Sequence, residues 1–205
     1  MQMLTEEKIN SNYVLFQKLL AKYDCFSERM FAELGDEIKN APFGTSEDSG
    51  AAYQGSMIDV VINNLCSIAV SINEKVFGDG GSHGVMMVNK HMLMRVLLLQ
   101  HISKAQLFVP TRDNWKIKNG RYYEFNDDLV GKLKLGQRSA YLCQAYGIEL
   151  NPVEFEAIMC LDDKDDNGDV FLSPISCLVK CVNRMVAVEL KTKYNASKKK
   201  ETLEK

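Results

Sequence analysis

Val96-Leu97-Leu98-Leu99-Gln100-His101-Ile102-Ser103-Lys104 joins an apolar run directly to a polar one. Its four leading residues leave no polar face, and a helix apolar all round is a buried one. Asn89 stands ahead of it as an N-cap. Directly after the apolar run come Gln100, His101, Ser103 and Lys104.

Outward from this helix, apolar residues recur at three- and four-residue spacing. Ile9, Tyr13, Phe16, Leu19, Leu20 and Tyr23 mark a first amphipathic helix, with Glu6 and Glu7 near its positive end. Ser27 caps a second carrying Met30, Phe31, Leu34 and Ile38. Turn chemistry fills 40–50, and a long helix is expected from Ser56 to Val76. The glycines from Gly78 to Gly84 have no strand before them and no phosphate-binding spacing, so they read as a connector. After Pro110, Trp115-Lys116-Ile117 and Arg121-Tyr122-Tyr123-Glu124-Phe125 flank Lys118-Asn119-Gly120, which predicts a β-hairpin. A helix is expected from Gly136 to Tyr146. Asn151, Pro152 and Glu154 then read as cap, first-turn proline and capping-box partner of a helix running through Cys160. A last helix should run from Pro174 to about Tyr194. The expected fold is all-α with one small hairpin: residues 1–40 are helices packed on the core, 41–194 the main domain, and 195–205 a basic, polar tail.

The chain has 205 residues, 46% of them hydrophobic, with a net charge of −2. No global positive field exists to hold a nucleic-acid backbone, which argues against general nucleic-acid binding. No apolar run approaches the roughly 20 residues of a bilayer span, and the first residues lack the basic and apolar regions of a signal peptide. Membrane association is not expected. The six cysteines lie in apolar periodic segments, the pattern of reduced buried thiols in a cytoplasmic protein. Cys177 and Cys181 are one helical turn apart but have no second Cys/His pair nearby. Asp163-Lys164-Asp165-Asp166-Asn167-Gly168-Asp169-Val170 resembles half of an EF-hand loop, yet Pro174 stands where the bidentate glutamate belongs, so an acidic turn is expected. His83 and His91 have no carboxylate nearby in sequence and read as surface residues. Met86, Met87, Met92 and Met94 cluster around one loop and helix start.

Four stretches taken together resemble the bacterial and phage branch of the HD phosphohydrolase superfamily. Ala52-Tyr53-Gln54-Gly55-Ser56-Met57-Ile58-Asp59 is similar to the family's Tyr-Glu-Gly-Gly-Leu-x-Glu. Leu98 to Lys104 is similar to Leu-Leu-His-Asp-x-Cys-Lys. Leu135-Gly136-Gln137-Arg138-Ser139 is similar to the end of Gly-His-Gly-Glu-Lys-Ser, and Leu150 to Ile158 to Leu-Thr-x-Glu-Glu-x-x-Ala-Ile. Order and spacing agree from about Gly50 to Val186, and the resemblance implies an HD-domain-like helical bundle.

An HD enzyme holds divalent metal with histidines and aspartates and uses it to make a hydroxide nucleophile. Position by position, the resemblance places those ligands on Val60, Gln100, His101, Leu135, Leu161 and Asn183, with the motif's glutamate on Gln137. Valine and leucine cannot ligate, and neutral amides are poor ligands for such a metal. A one-residue slip that put His101 on the family histidine would put Ile102 on the aspartate, so the loss survives it. The expectation is a pseudoenzyme without cofactor or metal that binds another protein, in the host cytoplasm if phage-encoded. One alternative keeps a nucleotide or anion pocket at Lys104, Gln137 and Arg138 as a sensor without hydrolysis, which needs an open cavity. Another is residual hydrolysis with metal on His101, Asp59 and Asp162.

Overall fold

The computed structural model describes residues 3–77, 88–129, 131–162 and 172–203. The glycine-rich connector with His83, Met86 and Met87, and the acidic segment Asp163–Val170, lie outside the described residues.

Local chemistry sets the helix starts. Thr5 Oγ1 accepts from Lys8 N–H to open α1 (Glu6–Lys22), and Ser27 does the same for Met30 at the start of α2 (Glu28–Asn40). A single 3₁₀ turn, Glu47–Ser49, interrupts the following loop. The expected long helix is present in three parts: α3 (Ser56–Val60), a π-helical segment (Val61–Cys66) and α4 (Ser67–Phe77). Val60 and Val61, at the junction of α3 and the π segment, are both buried, each 1% exposed. By length and mean hydropathy (1.3) the Ser56–Lys75 run could cross a membrane, the opposite of the sequence-based expectation. Here it lies against the core through Met57, Ile58, Leu65 and Ala69, and Asn73 is buried, bonded at both ends of its amide to the Val88 backbone.

Asn89 caps α5 (Lys90–Leu99), whose Leu93, Met94 and Val96 to Leu99 are all buried, as expected of the apolar run. α5 packs against α1, α8 (Leu135–Ala145), α9 (Pro152–Met159), α10 (Pro174–Leu203) and the π segment, so it is the axis of the molecule. Phe16, Leu20, Met30 and Ile38 of the first two helices belong to the same core. α8 (Leu135–Ala145) and α9 (Pro152–Met159) follow, and α9 carries the expected capping box between Asn151 and Glu154. α10 (Pro174–Leu203) runs about two and a half turns beyond its expected end near Tyr194, so much of the expected tail is helix.

The hairpin is present but differs from expectation. β1 is Phe108–Pro110, antiparallel to β2, Tyr123–Phe125. Between them Trp115 lies in α7 (Asn114–Lys118), after the short α6 (Lys104–Leu107). The Asp113 carboxylate accepts from the N–H groups of Trp115 and Lys116 and captures the segment as a helical turn. Asn119-Gly120 ends that turn, with Gly120 at φ +73°. Of the six cysteines, Cys25, Cys66, Cys143 and Cys160 are buried, but Cys177 and Cys181 are exposed on α10.

Candidate functional site

The end of α5 meets the middle of α10. Gln100 and His101, 0% and 4% exposed, turn toward Asn183, more than eighty residues away in the chain. Asn183 Nδ2 donates to Gln100 Oε1 (2.9 Å) and to the Val179 carbonyl (2.8 Å). Its Oδ1 is left to accept from His101, 2.8 Å from Nε2. That pairing places the imidazole proton on Nε2 and leaves Nδ1 a bare lone pair. Among the described residues, His101 Nδ1 and Gln100 Nε2 have no hydrogen-bond partner. Burial, and then the neighbouring Lys104, hold His101 well below its ordinary value, so it is neutral in the folded protein.

Lys104 sits one turn further on, also buried. Its ammonium donates to the Phe43 carbonyl at 2.5 Å and lies 3.3 Å from the centre of the Phe43 ring. The same ring meets His101 edge-on at 4.9 Å. Burial pulls the Lys104 ammonium down to about 7, against the favourable carbonyl and ring face. Serines hold the segment in place. Ser139 Oγ donates to the Gln100 carbonyl (2.8 Å), and Ser103 Oγ donates to the Leu135 carbonyl (2.9 Å).

Three of the six positions to which the resemblance gives ligand roles therefore converge: Gln100, His101 and Asn183. Leu135 is tied to the group through its backbone. Val60 is core, and Leu161, in the 3₁₀ turn Cys160–Asp162, packs partly buried against it. The metal that the resemblance implies does not fit this set. The Asn183 amide is fully used, Gln100 presents an N–H donor, and only one imidazole nitrogen offers a lone pair beside a buried ammonium, where a catalytic metal takes about three protein ligands. Among the described residues no group of three or more His, Cys, Asp or Glu side chains could hold a metal. Asp59 is engaged elsewhere: it accepts from Asn12, Tyr53 and Asn63 at 2.8–3.0 Å and lines a surface cleft with Lys8 and Tyr194.

Lys104, Gln137 and Arg138 do not meet in an open pocket. Gln137 Oε1 accepts from the Lys134 N–H at the head of its own helix, and Arg138 Nη2 donates to the Gly131 carbonyl. Gln100, His101, Lys104 and Arg138 are all buried, and three clefts of 520–700 Å³ among the described residues are lined by other residues.

A second polar cluster escaped the sequence reading. Arg95 bonds Glu154 (2.6 Å) and the carbonyls of Tyr23, Asp24 and Glu149, clamping α5 to α9 and to the end of α1. The available signal was one arginine inside the run Leu93-Met94-Arg95-Val96-Leu97. No family model, curated protein or solved structure matches the chain.

Proposed function

We propose that this chain is a non-catalytic protein of HD type, reused as a scaffold that binds another protein. The observation that carries the reading is the Gln100–Asn183–His101 chain of hydrogen bonds. Residues to which the resemblance gives ligand roles come together across the fold, but as neutral amides and a neutral imidazole. The apolar Val60, Leu135 and Leu161 favour stability over metal binding. A buried Lys104 beside the group opposes a divalent cation. These features support a reading in which the old centre is a structural knot and binding takes place on the surface. Between α8 and α9, a groove lined by Ala140, Gln144, Ile148, Leu150 and the half-exposed Phe155 offers an apolar wall of the kind a partner protein covers. Closure of the Gln100, His101, Lys104 and Arg138 cluster favours the scaffold over a nucleotide sensor at the same centre.

Incubation with Mn²⁺ or Mg²⁺ and a nucleotide panel tests the non-catalytic half of the reading. No phosphate release above the metal-only blank is expected. Release that follows enzyme concentration and disappears in an Asn183→Leu variant of unchanged helicity would overturn it.

A further inference from the structure

A cleft of about 640 Å³ lies between the Ser46–Asp48 loop, α7 and the far end of α10. Three elements build it. Glu47 N–H donates to the Gly120 carbonyl (2.7 Å), Ser46 pairs with Arg121 in an isolated antiparallel bridge, and Lys198 of α10 reaches Glu47 at 3.3 Å. Gly120 is needed there, since a Cβ would meet the Glu47 carboxylate at 2.9 Å and its φ is left-handed.

The lining combines aromatic faces with cations. Trp115 is 72% exposed, the highest value of any large aromatic residue among the described residues, and Tyr194 stands on the α10 side. Lys116, Lys118, Arg121 and Lys198 surround them. The cleft's acids are already engaged: Glu47 with Lys198, and Asp48 with the Ser46 hydroxyl, which donates to it. Lys116 is paired with Glu124 at 2.6 Å. Lys118 and Arg121 make no ion pair among the described residues. Trp115 leaves most of its apolar surface in water, and a stacking partner covers part of it. An acidic peptide satisfies the cations but brings a planar face to Trp115 only where it carries an aromatic residue. A base on a phosphate backbone satisfies both. The net charge of −2 argues against a whole-molecule field, not against a local cleft.

We propose that this cleft binds a short segment of single-stranded nucleic acid, with a base stacked on Trp115 and flanking phosphates on Lys118 and Arg121. The site is separate from the α5/α10 centre and does not depend on how that centre is read.

Trp115 is the sole tryptophan of the chain, so its fluorescence reports the stack directly. Titrating the full chain with a short oligouridylate at low salt should quench it saturably. The log–log salt dependence should have a slope of about −0.7 per phosphate contact, less steep by about 1.4 in a Lys118→Glu/Arg121→Glu variant. With a labelled strand read by anisotropy, Trp115→Ala should weaken binding at least about fivefold, the loss expected of one base–aromatic stack. Phe125→Ala, exposed outside the cleft, should leave binding unchanged. Absence of saturable quenching overturns the assignment, as does equal weakening by Phe125→Ala. Equal quenching by polyglutamate overturns the role of stacking, and equal quenching by ATP alone overturns the strand in favour of a mononucleotide.

Discussion

At the scale of single residues, the centre is a set of groups whose charge states burial has fixed. His101 is held below its ordinary value of 6.5, so the unfolded chain takes up a proton there that the folded chain refuses. Stability tied to neutral His101 is therefore intact above about pH 6.5 and falls as pH drops below it, by up to about 1.4 kcal/mol per pH unit. Urea midpoints between pH 7 and pH 5 should fall more steeply in the wild type than in a His101→Gln variant; parallel slopes would contradict a neutral buried imidazole. Lys104 works in the same direction at higher pH. Its folded value of about 7 lies below its ordinary 10.5, so stability should climb as pH rises from about 7. Above about 9 the buried Cys66 and Cys143 thiols, pushed up to about 12, reverse the trend, because only the unfolded chain ionises them there. The climb between pH 7 and 9 should vanish in Lys104→Met, measured as the same urea midpoints. Gln100 and His101 are neighbours in the chain, and the resemblance set Asn183 beside them; the carbonyl and ring face of Phe43 that hold Lys104 left no such mark, because tertiary folding alone brings that loop to α6.

At the scale of elements, caps and periodicity carried most of the reading. Ser27, Asn89 and Asn151 each bond the N–H groups their positions predict. Where local signals competed, the sequence misled. Asn119-Gly120 is a strong hairpin signal, yet the Asp113 cap won the preceding residues for a helix, and β2 found its partner at Phe108–Pro110 instead. The π segment left no mark in the apolar pattern, because Val60, Val61, Leu65 and Cys66 satisfy a slightly wider turn as readily as an α-helix. Arg95 holds α5 to α9 with side-chain exposures of only 11% for itself and 4% for Glu154. Arg95→Met leaves that carboxylate buried without its partner and should cost about 3–5 kcal/mol. Chemical denaturation checks this, and a loss below about 1 kcal/mol, the size of an exposed pair, would contradict a clamp. Gly120→Ala should destabilise by about 1 kcal/mol or more through its left-handed backbone and the approach of Glu47.

At the scale of the whole molecule, one core extends from α1 to α10, with α5 as its axis and a neutral polar knot where α5 meets α10. The all-α class with a small sheet was readable from composition and period. The closed state of the centre was not, since no spacing rule tells whether a polar cluster lines a cavity or fills it. On the function proposed above, the knot where α5 meets α10 holds no catalytic metal. The most direct measurement is elemental analysis of the full chain purified without chelator, paired with thermal melting in Mn²⁺. Substoichiometric metal and an unchanged melting temperature are expected. One equivalent of a transition metal per chain, with a melting temperature that rises with Mn²⁺ concentration and loses its rise in His101→Gln, would contradict it.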